Sequence, residues 1–121
     1  MLFPSLSSAG HLHSESWYRD KWCSGRVEVV LSDRTRCDCL TDTHAIEVDF
    51  ADKWYQAIGQ SLHYGVETGK RPGVLLIIED EKDIEALKID PNAKVAFITQ
   101  TTLSVDDTTA MVNRLKEKFT N

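Results

Sequence analysis

The chain has 121 residues, a formal net charge of −5, 41% hydrophobic residues and 27% charged residues, which is typical of a globular domain with an apolar core. No apolar run approaches the ~20 residues of a membrane span, and the N-terminus lacks the pattern of a signal peptide. The acidic balance, without a basic tail, disfavours a general nucleic-acid coat. We therefore expect a cytoplasmic protein whose cysteines, Cys23, Cys37 and Cys39, are reduced thiols.

The first half of the chain predicts a helix followed by three strands. After an N-terminal arm at 1–13, Trp17, Tyr18 and Trp22 recur at roughly helical spacing behind Ser14, a residue type that caps helices. Alternating apolar and polar side chains then predict three strands, joined by short polar turns, at 26–31, 36–40 and 45–50.

The second half alternates helices with strands. Trp54, Ile58 and Leu62 predict a helix over 51–69 with one buried apolar stripe. The apolar run at 73–79 predicts a strand that is covered on both faces. The remaining predicted elements are a short helix at 80–88, a strand at 94–99 and a last helix that Ser104 and Asp107 open as a variant capping box.

This order, α-βββ-α-β-α-β-α, predicts an α/β fold with three layers, in which a mixed sheet lies between helices. We expect a single domain over 1–121, consisting of the arm at 1–13, a core at 14–79 and an α-β-α extension at 80–121. The small size also predicts a homo-oligomer that shares sheet edges.

Three carboxylates lie on predicted strands whose other residues indicate burial. Glu47 and Asp49 project from one face of the third predicted strand, and Asp38 lies on the second, with Cys37 and Cys39 facing away from it. An antiparallel hairpin places Asp38 beside Glu47 or Asp49, where like charges repel unless a cation lies between them. Oxygen ligands favour Mg²⁺ or Mn²⁺, so the pattern predicts a metal site of Asp38, Glu47 and Asp49.

The helix that follows adds a polar face. Lys53, Gln60 and Tyr64 are spaced seven and four residues apart, so they share one side of the helix. A lysine, an amide and a phenol beside a metal can orient a water molecule and a phosphate oxygen.

Together these residues resemble the PD-(D/E)XK nuclease superfamily over about residues 14–79. The resemblance rests on Glu15 in the first helix, Asp38 in the second strand and Glu47 in the third, and "GQSLHY" resembles the glutamine-x-x-x-tyrosine motif of the RecB-like branch. It implies a Mg²⁺- or Mn²⁺-dependent endonuclease that hydrolyses DNA phosphodiester bonds. Its implied catalytic residues are Glu15, Asp38, Glu47, Lys53, Gln60 and Tyr64.

The chain departs from that superfamily at two positions. Asp49 stands where the family has a lysine, and Cys37 stands in place of the proline before Asp38. Lys53, one helical turn later, is the residue that would replace the missing lysine. The alternative is a non-catalytic module of the same fold that binds nucleic acid or protein after losing nuclease activity.

The C-terminal part resembles a different family. "KVAFITQTTLSVDDTTAMVNRLKEKF" is similar to a segment of 4-hydroxy-3-methylbut-2-enyl diphosphate reductase, an iron–sulfur enzyme, and the resemblance covers about residues 75–120. In that family the threonine that matches Thr101 lies near the substrate. The cluster needs three cysteines over a longer chain and residues 75–121 contain none, so we do not expect reductase activity. We interpret the chain as a join of two ancestries within 74–79.

Each motif also has a simpler interpretation. The carboxylates are equally compatible with a solvated sheet edge, and the helix residues with an ordinary polar face. Cys37 and Cys39 suit a core, and although they form a C-x-C-x₄-H string with His44, the string lacks a fourth zinc ligand.

Overall fold

The computed structural model describes residues 10–90 and 105–119, and the chain divides into two compact units, Met1–Ile77 and Ile78–Asn121. The boundary lies two residues before the predicted end of the core at 79. The first unit contains α1 (Glu15–Trp22), β1 (Arg26–Val30), β2 (Arg36–Leu40), β3 (His44–Phe50), a 3₁₀ turn (Ala51–Lys53), α2 (Trp54–Thr68) and β4 (Arg71–Ile77). The second contains α3 (Glu81–Glu85) and α4 (Val105–Lys118).

Some predictions fall outside the described residues. These are the strand at 94–99, the loop at 99–104 with Thr101, the capping pair of Ser104 and Asp107, and most of the arm at 1–13. The last residues of that arm are described. The ring of His11 stacks on Phe50 and the ring of His13 stacks on Trp17, whereas Leu12 between them is exposed.

The four strands form one mixed sheet in the order β1-β2-β3-β4. β1, β2 and β3 are antiparallel neighbours, and β4 runs parallel to β3, with His44 opposite Arg71 and Phe50 opposite Ile77. The connection from β3 to β4 passes through α2, as a parallel pair requires. The predicted α/β class and mixed sheet are confirmed.

The sheet of the first unit has a helix on each face. On one face, Tyr18 of α1 packs with Val48 and Ile77. On the other face, Tyr64 of α2 packs with Ala45 and Cys37. Strand alternation produces this division, because Ala45 and Val48 are an odd number of residues apart.

The predicted buried stripe of α2 is wrong. Ile58 and Leu62 are 37% and 55% exposed, whereas Ala57 and Ser61 are 0% and 3% exposed. Small side chains at the contact let the helix backbone lie close to β3 and β4, so the helix turns its larger apolar residues outward.

The prediction that the fourth strand is covered on both faces is also wrong. Ile77 is 5% exposed but Val74 is 37% exposed. Among the described residues β4 is an edge strand of the sheet, so one of its faces is only partly covered.

The prediction of reduced thiols is wrong for two of the three cysteines. Cys23, which caps the end of α1, forms a disulfide with Cys39 of β2 across a Cα–Cα distance of 5.8 Å. Cys37 is the free cysteine and is buried. It packs with Ala45 and Tyr64.

In the second unit, residues 78–90 and 105–119 are described, and they contain two helices. Asp80 and Asp83 form a capping box that begins α3, and Ile84 of this helix is fully buried. From α4, the Nζ atom of Lys118 donates a hydrogen bond of 2.6 Å to the carbonyl of Ile84. Among the described residues, no helix is both long and apolar enough to cross a membrane.

Replacing two glycines with alanine, one inside α2 and one just after it, should change the free energy of unfolding in opposite directions. Gly69, the residue after the helix, has a φ of +70°, so Gly69→Ala should lower the free energy of unfolding by about 1 kcal/mol. Gly59 lies within the helix, and a Cβ there would meet nothing within 4 Å. Gly59→Ala should therefore raise the free energy of unfolding by up to about 1 kcal/mol. Urea denaturation of both variants checks the pair, and shifts of equal sign would contradict it.

Candidate functional site

The carboxylates meet where β2 separates from β3. Backbone pairing between these strands is limited to Cys39–Ile46 and Leu40–Ala45. Beyond it, Oδ2 of Asp38 accepts a 2.8 Å hydrogen bond from the Val48 N–H, and Sγ of Cys37 lies 3.8 Å from the Ile46 carbonyl. Side chains of β2 thus form hydrogen bonds with backbone groups of β3 that the strand pairing leaves without a partner.

We call Glu15, Asp38, Glu47 and Asp49 the carboxyl cluster. Glu47 and Asp49 are 6% and 7% exposed, which is unusual for acidic side chains. Oδ1 of Asp49 accepts a 2.9 Å hydrogen bond from the Phe50 N–H. Oε2 of Glu47 is buried and has no hydrogen-bond partner among the described residues.

Burial raises the pKa of three carboxyl groups of this cluster. Desolvation, followed by hydrogen bonding with Asp38 and its charge, raises the pKa of Glu47 to about 9. Desolvation and then the charges of Asp49 and Asp38 raise the pKa of Glu15 to about 7. Burial also raises the pKa of Asp49 above its ordinary value. Glu47 is therefore the member of the cluster that most strongly favours its neutral form.

The predicted helix face is only partly assembled. Tyr64 is buried, and burial together with the charge of Glu47 raises the pKa of its phenol well above the ordinary range. The charge of Lys53, which is exposed, opposes the rise in the pKa of Glu15 and of Asp49. Gln60 is exposed. The structure thus joins Glu15, Asp38, Glu47 and Tyr64, with Lys53 beside them, and leaves Gln60 outside.

A second feature was not predicted from the sequence. A hollow of about 470 Å³ lies at the β2–β3 turn, and we call it the turn hollow; its lining is Ser24, Gly25, Arg26, Leu40, Thr41, Asp42, Thr43 and Lys70. Two cations outnumber one carboxylate there, so the lining carries a net positive charge that suits an anion. The hydroxyl of Thr41 already donates to the His44 carbonyl. Nζ of Lys70 donates a 2.6 Å hydrogen bond to the Thr41 carbonyl, which holds this cation at the turn. Its residues are spread over three segments, so no single motif indicated it.

Comparison with known proteins identifies one family. The family model described as LytB protein matches residues 23–121. Among curated relatives named 4-hydroxy-3-methylbut-2-enyl diphosphate reductase, one from Pseudomonas entomophila is 47% identical over 95 residues, covering 78% of this chain and 27% of the relative. One from Rhodopirellula baltica is 36% identical over 87 residues, which cover 69% of this chain and 27% of that relative.

The similarity is to part of longer proteins. The Psychrobacter arcticus relative is 35% identical over 102 residues, which are 78% of this chain and 32% of the relative. The chain thus spans between a quarter and a third of the length of these curated relatives. No solved structure matches.

The cysteines of this chain do not fit an iron–sulfur cluster. Such clusters are held by cysteine thiolates, and the chain has three cysteines. Two of them are bonded to each other, and the third, Cys37, is fully buried. Burial raises the pKa of the Cys37 thiol, which disfavours the thiolate that a metal needs.

The nuclease predictions are wrong. The matching family is LytB, and its match includes Asp38, Glu47, Lys53 and Tyr64. The predicted deoxyribonuclease and hydrolase activity, DNA binding and Mg²⁺ or Mn²⁺ cofactor are therefore withdrawn, together with the alternative of a binding module that has lost nuclease activity. The physical reason is that buried carboxyl groups relieve their repulsion by holding protons, so a cation between them is not required.

The resemblance of the C-terminal part to the reductase is confirmed, and it extends further toward the N-terminus than the predicted 75–120. Since the match over 23–121 covers most of the chain, the chain belongs to the LytB protein family.

Proposed function

We propose that this chain is a diphosphate-binding portion of a LytB-type reductase acting on 4-hydroxy-3-methylbut-2-enyl diphosphate. The observation that carries the proposal is the family match over residues 23–121. In this proposal the electron-transferring group is held by other polypeptide, because the cysteines of this chain do not fit it.

The turn hollow supports the anion-binding part. A diphosphate is a multiply charged anion, and Arg26 and Lys70 supply cations at the hollow while Ser24 supplies a hydroxyl donor. The carboxyl cluster is unsuited to this task when ionised, since its charge would repel the same anion.

The carboxyl cluster supports a second part of the proposal, in which acidic side chains supply protons to the reaction. Reduction of an organic substrate couples electrons to protons, and a general acid must carry a proton near the operating pH. Glu15, with a pKa of about 7, meets that condition but lies before the matched residues 23–121, whereas Glu47, with a pKa of about 9, lies within them and also holds a proton. Tyr64 positions Glu47. Asp38 accepts a hydrogen bond from the Val48 N–H. We assign no role to Gln60.

The anion-binding part can be tested on the full chain by calorimetry. The chain should bind one equivalent of 4-hydroxy-3-methylbut-2-enyl diphosphate, and inorganic pyrophosphate more tightly than orthophosphate. Arg26→Gln should weaken substrate binding about tenfold, because charge-assisted hydrogen bonds are worth about 1.5–3 kcal/mol each.

Arg36→Gln is the matched control. Arg36 is an exposed arginine on the neighbouring strand, outside the turn hollow, where it pairs with Glu28. It should leave the affinity unchanged. Absence of binding, or equal losses in the two variants, would contradict a diphosphate site at the hollow. Turnover of the substrate by this chain alone with an electron donor would contradict the need for other polypeptide.

A further inference from the structure

A third group of side chains joins the β1–β2 turn to α2, apart from the carboxyl cluster and the turn hollow. Asp33 lies in the turn, and His63 and Glu67 lie on α2. The two helix residues are four apart, so they share one face. One ligand atom from each of the three lies within 4.8 Å of the others. We call these residues the turn–helix triad.

The carboxylate from the turn is held in place by its own neighbours. Oδ1 of Asp33 accepts hydrogen bonds from the backbone N–H of Thr35 at 3.0 Å and from its hydroxyl at 2.6 Å. These bonds, the hydroxyl first, lower the pKa of Asp33 to about 2. The carboxylate is therefore ionised at any pH of interest, and its Oδ2 faces Nε2 of His63 at 2.6 Å.

The helix ligands are oriented as well. Oε2 of Glu67 accepts a 3.1 Å hydrogen bond from the hydroxyl of Ser32, which is also in the turn. The same turn therefore fixes both Asp33 and Glu67, and such bonds between ligands and their neighbours are typical of metal sites.

The donor set indicates which metal fits. One imidazole nitrogen with two carboxylates suits zinc, which commonly takes three protein ligands and a water molecule. Ligands of a tetrahedral zinc lie roughly 3.3 Å apart for metal–ligand lengths near 2 Å, so the separations in the triad, which reach up to 4.8 Å, must shorten by up to about 1.5 Å. The imidazole of His63, which is 47% exposed, can make most of this movement while the turn holds Asp33.

We propose that Asp33, His63 and Glu67 form a zinc-binding site that ties the β1–β2 turn to α2, with water as the fourth ligand. The site is independent of the function proposed above, because it shares no residue with the turn hollow or the carboxyl cluster.

The test titrates metal-free full-length chain with zinc chloride against a chromophoric chelator. One equivalent should bind, and His63→Gln and Glu67→Gln should each weaken binding at least tenfold. His13→Gln is the control, since His13 stacks on Trp17 away from the triad, and it should bind as wild type does. Equal affinity of wild type and His63→Gln would overturn the proposal, as would the absence of binding.

Thermal melting provides a second readout. Zinc should raise the Tm of wild type and of His13→Gln, and it should leave the Tm of His63→Gln unchanged. A cooperative melt of metal-free His63→Gln shows that the variant is folded, which is expected of a substitution on an exposed helix face. A zinc-induced rise in Tm that persists in both triad variants would assign the zinc to other residues.

Discussion

Replacing Glu47 with glutamine should raise the free energy of unfolding at pH 8 by about 2–5 kcal/mol, while changing it little at pH 5. The pKa of Glu47 is raised to about 9 from an ordinary value of 4.5, so between these pH values the folded state holds a proton that the unfolded state releases. Stability therefore falls as pH rises through this window, by up to about 1.4 kcal/mol per pH unit. Glutamine stays neutral, so the variant avoids the loss.

Urea denaturation at pH 5, 6.5 and 8 measures the effect of Glu47→Gln. Asp52→Asn is the control, because Asp52 is an exposed carboxylate just after β3, and its profile should follow that of wild type. Some pH dependence should persist in Glu47→Gln, since Glu15 and Asp49 also have raised pKa values. Parallel profiles for wild type and Glu47→Gln would show that Glu47 is ionised in the folded state.

Removing the disulfide should lower the free energy of unfolding by about 3 kcal/mol. Cys23 and Cys39 are separated by 16 residues, and a cross-link that closes a loop of this length restricts the unfolded chain by about that amount. Cys23→Ser should show the loss in non-reducing buffer, measured by urea denaturation.

The reducing agent supplies the matched control for Cys23→Ser. Wild type with a strong reductant should lose the same stability, whereas the variant should not respond to the reductant. Similar stability of wild type in both buffers would show that this disulfide does not form in solution.

The carboxyl cluster shows how one arrangement supports two interpretations. Acidic side chains on neighbouring strands predicted a metal site, and the structure does bring Asp38 and Glu47 together. The family match assigns the chain to the LytB family and not to a family of metal-dependent nucleases. Motifs of single acidic residues at loose spacing are weak, whereas the continuous string "TQTTLSVDDT" is specific. A homo-oligomer stays a prediction, which light scattering can check.

Local structure was largely determined by the sequence alone. Ser14 caps α1 as predicted, and α2 ends at Thr68, one residue before its predicted end, because capping depends on groups within a few residues of each other. The hairpin strands lie within a residue of their predicted bounds, since period-two alternation is read along one segment.

Tertiary structure decided the rest. Periodicity favoured Ile58 and Leu62 as the buried side of α2, but the small residues Ala57 and Ser61 occupy it, because close approach to the sheet depends on the shape of the partner surface. The bond from Cys23 to Cys39 and the turn–helix triad likewise join segments that are distant in the chain. Local sequence determines where the backbone forms helices and strands, but long-range pairs depend on how those elements pack, which no single segment encodes.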